Sequence, residues 1–179
     1  MRHTCRPRGL TLLELVIALC IATGLTLLAG ASYNEFMALY RLRSQAQALA
    51  SALRLAQSEA VKRGLRVNVC KSLDRLSCAD DGGYETGWLL HVDIGGQGQP
   101  DADEGVLRFE PPAPPGMTIR GNGPVSDFVS YTPLGHARRL NGALQMGTFT
   151  LCSPGQSAVE VILAHSGRVR IVGTSTPCG

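Results

Sequence analysis

The sequence lacks the motifs of the common catalytic and cofactor sites. It contains no Gly-x-Ser-x-Gly nucleophile motif and no phosphate-binding loop. Its four histidines, His3, His91, His136 and His165, do not have the spacing of metal ligands. None of its six cysteines forms a Cys-x-x-Cys pair, which a structural zinc site typically has. We therefore expect no enzyme activity, no cofactor and no metal site.

The chain also has little net charge once its first residues are set aside. Its formal charge of +3 equals the contribution of Arg2, Arg6 and Arg8, since residues 1–9 hold no acid and the remainder has as many acids as bases. The remaining charges are uneven, because residues 64–117 are acidic and residues 118–179 are basic. Only the C-terminal third would therefore attract a polyanion through its charge.

An apolar run over residues 10–32 follows the three arginines. A helix of about 23 residues spans ~30 Å of hydrocarbon, and the preceding positive charge predicts a cytoplasmic N-terminus with the rest of the chain across the membrane. Glu14 interrupts this run, although a carboxylate inside a membrane helix costs roughly 2.5–3.5 kcal/mol and is rarely kept without a partner. We predict a single membrane-spanning helix in which Glu14 has a specific partner.

The residues around Glu14 resemble the prepilin peptidase motif. From Gly9 the sequence reads Gly-Leu-Thr-Leu-Leu-Glu-Leu, so that a cut before Leu10 makes Glu14 the fifth residue of the mature chain. The resemblance implies that residues 1–9 are a leader removed by prepilin peptidase in the bacterial inner membrane. It also implies that Leu10 is N-methylated and that Glu14 pairs with the N-terminal amine of a neighbouring subunit during filament assembly. A signal anchor with a chance glutamate is the alternative.

A helical pattern continues beyond the apolar run, over residues 33–64. Apolar side chains recur at spacings of three and four from Leu39 to Ala60, and Gly64 suits the C′ position of a helix. We therefore predict an amphipathic second half of one long N-terminal helix. Its alanine-rich stripe suits packing on the chain's own sheet, with a coiled-coil dimer as the alternative.

Residues 65–179 are predicted to form an extracytoplasmic β-rich domain. Glycine and proline separate short β-type runs at residues 65–70, 87–93, 105–109, 117–120, 128–131, 147–152, 159–164 and 168–172. Four prolines within residues 111–115 predict a connector. The expected fold is α+β, with the long helix packed on a mostly antiparallel β-sheet.

Four cysteines lie in this domain: Cys70, Cys78, Cys152 and Cys178. An even number outside the cytoplasm suggests two disulfides. Three connectivities are possible, and we favour the sequence-local pairing of Cys70 with Cys78 and of Cys152 with Cys178.

Several segments together resemble the FimT/GspH family of minor pilins and minor pseudopilins. They are residues 55–64, residues 69–70, Gly87-Trp88-Leu89, residues 147–152 and residues 166–170. Members belong to type IV pili or to type II secretion systems. The resemblance implies a type IV pilin-like fold, with other pilin or pseudopilin subunits as partners. We expect Trp88 to lie in the core.

The motif Gly167-Arg168-Val169-Arg170 carries the sharpest functional hypothesis. Two arginines separated by one residue on a strand point to the same face, where their guanidinium groups can bind successive phosphates. In the FimT branch a Gly-Arg-x-Arg motif is associated with DNA binding in natural transformation. The resemblance therefore implies double-stranded DNA as a ligand, bound without sequence specificity. A solvated strand with ordinary ion pairs is the alternative.

Three further residues would extend this basic surface if the fold brings them close: Arg138, Arg139 and His165. The predicted function is a minor pilin that takes part in pilus assembly and binds extracellular DNA for uptake. The alternative is a minor pseudopilin of a type II secretion system, with a structural role and no DNA binding.

Residues 93–104 have the outline of an EF-hand calcium loop. Asp93, Gly98 and Glu104 occupy its first, sixth and twelfth positions. The third and fifth positions are Gly95 and Gln97, so much of the coordinating charge is missing. We predict an acidic hairpin loop, with calcium binding as the alternative.

Overall fold

The computed structural model describes residues 11–100 and 105–178, with the side chains of all but residues 25–32. The chain divides into two units, Met1–Met37 and Ala38–Gly179. The predicted leader, with the cleavage site at Gly9 and Leu10, lies outside the described residues. So does part of the membrane span predicted for residues 10–32, which stays a prediction. In the part of the chain described here, no helix is both long and apolar enough to cross a membrane.

One helix, α1, covers Leu12–Arg63 and confirms the long N-terminal helix. Its first turn is capped by Thr11, whose hydroxyl accepts a hydrogen bond from the Glu14 N–H at 3.2 Å. The helix ends at Gly64, which has a φ of 66° and donates its N–H to the Ala60 carbonyl at 3.0 Å. This left-handed C′ glycine is the helix end that the sequence predicts.

In residues 65–100 and 105–178 eight strands follow, each within a few residues of its predicted position. They are β1 (Arg66–Lys71), β2 (Trp88–Asp93), β3 (Val106–Glu110), β4 (Thr118–Gly121), β5 (Phe128–Tyr131), β6 (Gly147–Cys152), β7 (Ser157–Leu163) and β8 (Val169–Pro177). The proline-rich segment joins β3 to β4 outside any strand, as expected. Short 3-10 helices lie at Tyr84–Thr86 and Gly123–Val125.

Among the described residues the strands form two sheets, both antiparallel as expected, and only the division into two was not indicated by the sequence. One has the order β3-β2-β1-β5 and the other β4-β6-β7-β8. Both turn an apolar face toward α1, and Leu49, Leu53, Val69, Trp88 and Phe149 lie in one buried cluster. The helix stripe therefore packs against the chain's own sheets, as we favoured. The alanines of that stripe, among them Ala46, Ala56 and Ala60, lie in the same cluster.

All members of this buried cluster belong to the unit Ala38–Gly179. Both disulfides also lie within it. A fragment that lacks residues 1–32 therefore keeps every core contact and both crosslinks. We expect this fragment, residues 33–179, to fold on its own.

Candidate nucleic-acid interface

Arg170 lies on β8, the edge strand of its sheet, and Arg168 immediately precedes that strand. Val169 and Ile171 pack against the buried cluster, so the alternating arginines face the other way and both are exposed. Two residues of extended strand separate their Cα atoms by roughly 6.6–6.8 Å. Among the described residues, neither guanidinium has a hydrogen bond or an ion-pair partner. Both cations are therefore available to a ligand.

A groove of about 320 Å³ runs beside the two arginines. Its lining residues are Ile162, Ala164, Ser166, Arg168, Val169 and Arg170. Ile162 lies opposite Arg170 in the ladder, and the Ala164 N–H donates to the Arg168 carbonyl at 2.9 Å. The floor between the two guanidinium groups is therefore apolar, while its rim is cationic.

Among the residues that the structure describes, one acid, Glu160, shares this outer face of the sheet. It lies opposite Val172 and is therefore a diagonal neighbour of Arg170 across β7 and β8. Diagonal neighbours are ~7–8 Å apart, and within the described segments no ion pair joins Glu160 to Arg170. Glu160 lowers the local positive potential without neutralising Arg170.

Gly167 is held in the turn before β8 by the residues packed around it. Its φ is 84°, a left-handed conformation that favours glycine. A Cβ at this position would overlap the Nε2 of Gln57 and the carbonyl oxygen of Gly135. Gln57 donates to the Gly135 carbonyl at 2.8 Å and to the Ser166 carbonyl at 3.3 Å. We predicted Gly167 as part of a DNA-binding motif, and its visible role is to let this turn pack against α1.

Arg54 of α1 is a basic residue of this site that the sequence reasoning missed. Its Nη2 donates to the Val169 carbonyl at 3.3 Å, although the two residues are 115 positions apart. Val169 lies between the two arginines of the motif, so Arg54 reaches the same strand from the helix side. Burial raises the pKa of Tyr131 on β5 above its usual range, and the positive charge of Arg54 opposes this shift. No pattern in the helix could have indicated this contact, because it depends on the docking of β8.

The three residues predicted to extend the surface differ in their exposure and in their contacts with the motif. His165 is exposed in the turn before Gly167, and its carbonyl accepts the Ala137 N–H at 3.0 Å. Arg138 is half-buried and donates to the Gly142 carbonyl at 3.0 Å. Arg139 is exposed. The described contacts bring His165 next to the motif, whereas no described contact joins Arg138 or Arg139 to it.

Glu14 lies in the first turn of α1 and is exposed. Thr11-Leu12-Leu13-Glu14 has the spacing of a capping box, with Thr11 at the N-cap and Glu14 at the third helical position. An acid there also interacts favourably with the positive end of the helix dipole. These local effects accompany the predicted pairing with a neighbouring subunit, which stays a prediction.

Cys70 pairs with Cys78 and Cys152 pairs with Cys178, with Cα–Cα distances of 5.6 and 5.4 Å. This is the sequence-local pairing that we favoured. His91 Nε2 lies 3.8 Å from Cys78 Sγ, so in the described part of the chain Cys70, Cys78 and His91 have the proximity of metal ligands. Because the two sulfurs are bonded to each other, they are not thiolates and cannot bind a metal as such.

The loop after Asp93 has contacts that favour the hairpin-loop interpretation. Asp93 is buried, and its Oδ1 accepts the Gln97 N–H at 3.0 Å. Its Oδ2 accepts from Asn68 Nδ2 at 2.8 Å and from the Gly98 N–H at 3.3 Å. The carboxylate that would be the first calcium ligand is thus already hydrogen-bonded. Residues 101–104 lie outside the described residues.

A long N-terminal helix whose C-terminal half packs on antiparallel sheets defines a type IV pilin-like subunit. A family model described as "Type II transport protein GspH" matches residues 45–167, well over half of the sequence. The chain belongs to this GspH family of minor pilins and pseudopilins. The matched segment ends at Gly167 and so does not include the arginine pair.

Two solved structures share the fold. The type IV minor pilin FimU of Pseudomonas aeruginosa has a TM-score of 0.58 at 19% identity, and the alignment covers 79% of this chain and 98% of FimU. The minor pseudopilin EpsH of the type II secretion system of Vibrio cholerae has a TM-score of 0.51 at 12% identity, covering 77% and 97%. Curated protein sequences include no match. The protein is therefore a minor pilin or pseudopilin, a subunit that assembles with other pilins.

Proposed function

We propose that this protein is a minor pilin of a type IV pilus that binds extracellular DNA during natural transformation. The observation that carries the proposal is the arrangement of Arg168 and Arg170. Both are exposed at the start of an edge strand, Arg168 just before it and Arg170 within it, and among the described residues neither has an intramolecular partner. In a family whose members assemble into filaments, an unpaired guanidinium pair on an outer sheet face suits a polyanionic ligand.

The phosphate backbone supplies the chemistry of this interaction. An arginine binds a phosphate through two parallel N–H donors. Each neutralised phosphate releases counterions, so log K should fall with log salt at a slope of about −0.9 per contact. Two contacts predict a slope near −1.8, which is roughly a 12-fold loss of affinity between 50 and 200 mM salt.

Binding of a 30-base-pair duplex to residues 33–179, followed by fluorescence anisotropy at several salt concentrations, tests the proposal. The variant Arg168→Ala/Arg170→Ala should lose the salt-dependent binding and keep the unfolding temperature of the wild type. Arg41→Ala/Arg43→Ala is the matched control, because it removes the same charge from two exposed residues of α1. Glu160→Gln should bind more tightly. Wild-type binding by the Arg168/Arg170 variant would refute the proposed function.

We also propose that the subunit matures and inserts as the prepilin motif implies. Prepilin peptidase removes residues 1–9, Leu10 is N-methylated, and residues 10–32 anchor the protein in the inner membrane until it enters the filament. Glu14 then pairs with the N-terminal amine of a neighbour. Gly9→Ala should block processing and leave a longer membrane-bound precursor on an immunoblot. Normal cleavage of that variant would contradict the proposed boundary.

A second candidate function is a structural role in a type II secretion pseudopilus. The observation that favours it is the family description, which names a type II transport protein. Deletion of the gene in its own bacterium separates the two. Loss of transformation with normal protein secretion supports the pilus, whereas loss of secretion with normal transformation supports the pseudopilus.

A further inference from the structure

Arg54 meets β8 between the two arginines of the motif. Its hydrogen bond to the Val169 carbonyl places its guanidinium against the backbone of the residue between Arg168 and Arg170. Arg54 itself is exposed. A guanidinium has five N–H donors, so this bond leaves most of them for another acceptor.

Arg54 also differs from the partnered arginines of the domain. Described acids pair with Arg63, Arg108 and Arg120, whose partners are Glu59 at 2.6 Å, Glu110 at 3.0 Å and Glu85 at 2.7 Å. The sole described side-chain bond of Arg54 is a long one to a neutral carbonyl. Hydrogen bonds of this kind on an exposed surface contribute little to stability. The contact orients Arg54 without neutralising it.

A second residue of α1, Gln57, also contacts the backbone around the motif. Gln57 lies three residues beyond Arg54, on the same face of α1, and its Nε2 donates to the carbonyls of Gly135 and Ser166 at 2.8 and 3.3 Å. Ser166 precedes the motif and Val169 lies inside it. The helix therefore contacts the backbone on both sides of Arg168.

From these contacts we propose that Arg54 is a third phosphate-binding residue, so that α1 and β8 together form one anion-binding surface. This inference rests on the proposed function, because it deepens the same DNA-binding site. The ligand is the sugar-phosphate backbone of a nucleic acid, approached at the edge of the sheet. A third contact raises the expected salt slope to about −2.7, or roughly a 40-fold loss of affinity between 50 and 200 mM salt.

The test compares Arg54→Ala, Arg54→Lys and the control Arg41→Ala in residues 33–179, with the same duplex and the same series of salt concentrations. Arg54→Ala should weaken binding roughly 3- to 10-fold at low salt and reduce the slope by about 0.9. Arg54→Lys keeps the charge and should keep the slope. Arg41→Ala should change neither quantity.

Three results would overturn the inference. Arg54→Ala could bind with wild-type affinity and slope, it could bind more weakly with an unchanged slope and a lower unfolding temperature, or Arg54→Lys could show the reduced slope of the alanine variant. The first two leave the proposed function intact if Arg168→Ala/Arg170→Ala still abolishes binding. Wild-type binding by that double variant would instead refute the proposed function, whatever Arg54→Ala does.

Discussion

Replacing Gly167 with alanine tests whether this glycine serves the arginine pair through the packing of its turn. A left-handed φ of 84° costs a non-glycine residue about 1–2 kcal/mol. The added Cβ would also overlap Gln57 Nε2 and the Gly135 carbonyl oxygen, and overpacking of a well-filled site typically costs about 1–3 kcal/mol. We therefore expect Gly167→Ala to lower the free energy of unfolding by about 2–5 kcal/mol.

Two other glycines separate the backbone cost from the packing cost. Gly142 has the same φ of 84°, but a Cβ there would meet nothing within 4 Å. Gly142→Ala should therefore cost only about 1–2 kcal/mol. Gly173 lies in β8 with neither a left-handed φ nor a close neighbour, so Gly173→Ala should be nearly neutral.

Urea unfolding of residues 33–179, with both disulfides intact, measures all three variants. The urea concentration at the midpoint should be highest for Gly173→Ala, lower for Gly142→Ala and lowest for Gly167→Ala. The m-value should not change. Equal stability of Gly167→Ala and Gly142→Ala, within about 0.5 kcal/mol, would refute the packing argument. Glycine would then be required at position 167 only because of its left-handed φ, and not because of the contact with α1.

Two further predictions concern the disulfides and the loop closed by one of them. Replacing Cys152 and Cys178 with serine opens a loop of 26 residues and should lower the free energy of unfolding by about 3.5 kcal/mol through chain entropy. Replacing Cys70 and Cys78 opens a loop of eight residues and should lower it by about 2.5 kcal/mol. Denaturant unfolding of each variant measures the difference, and equal losses would contradict this prediction. Hydrogen bonds from the backbone N–H groups of Ser77 and Leu76 lower the pKa of Asp74 to about 2. The carboxylate's contribution to loop stability is then complete above its ordinary value of 3.8 and is lost as the pH falls through about 2. An NMR titration of Asp74 with a midpoint near 3.8 would contradict these contacts.

Local sequence signals predicted the elements of this fold well. The strands 128–131 and 147–152 have the predicted boundaries, and Trp88 is fully buried as expected. Glycine and proline mark the ends of short strands, and Gly64 marks the end of the helix, because their backbone preferences act within a few residues. The C-terminal end of β8 could not be predicted in this way. Its polar last residues carry no apolar alternation, yet the strand continues to Pro177, next to the crosslinked Cys178.

The assembly of the elements could not be predicted in the same way. Nothing in the alternation of apolar residues tells which strands share a sheet, so the division into two sheets was not indicated. The candidate site shows the same limit. Arg168 and Arg170 were found because two residues apart on a strand share a face. Arg54 and Gln57 were missed because their partners lie 115 and 78 positions away.

The Cys152–Cys178 disulfide has a mechanical consequence for a subunit under tension. The β7–β8 hairpin, with both arginines, lies entirely between the two crosslinked cysteines. A force applied along the chain would enter at one sulfur and leave at the other, so the covalent chain of the hairpin would be bypassed. Up to about 90 Å of extended chain stays hidden in that loop. The arginine strand should therefore keep its shape when the ends of the domain are pulled apart.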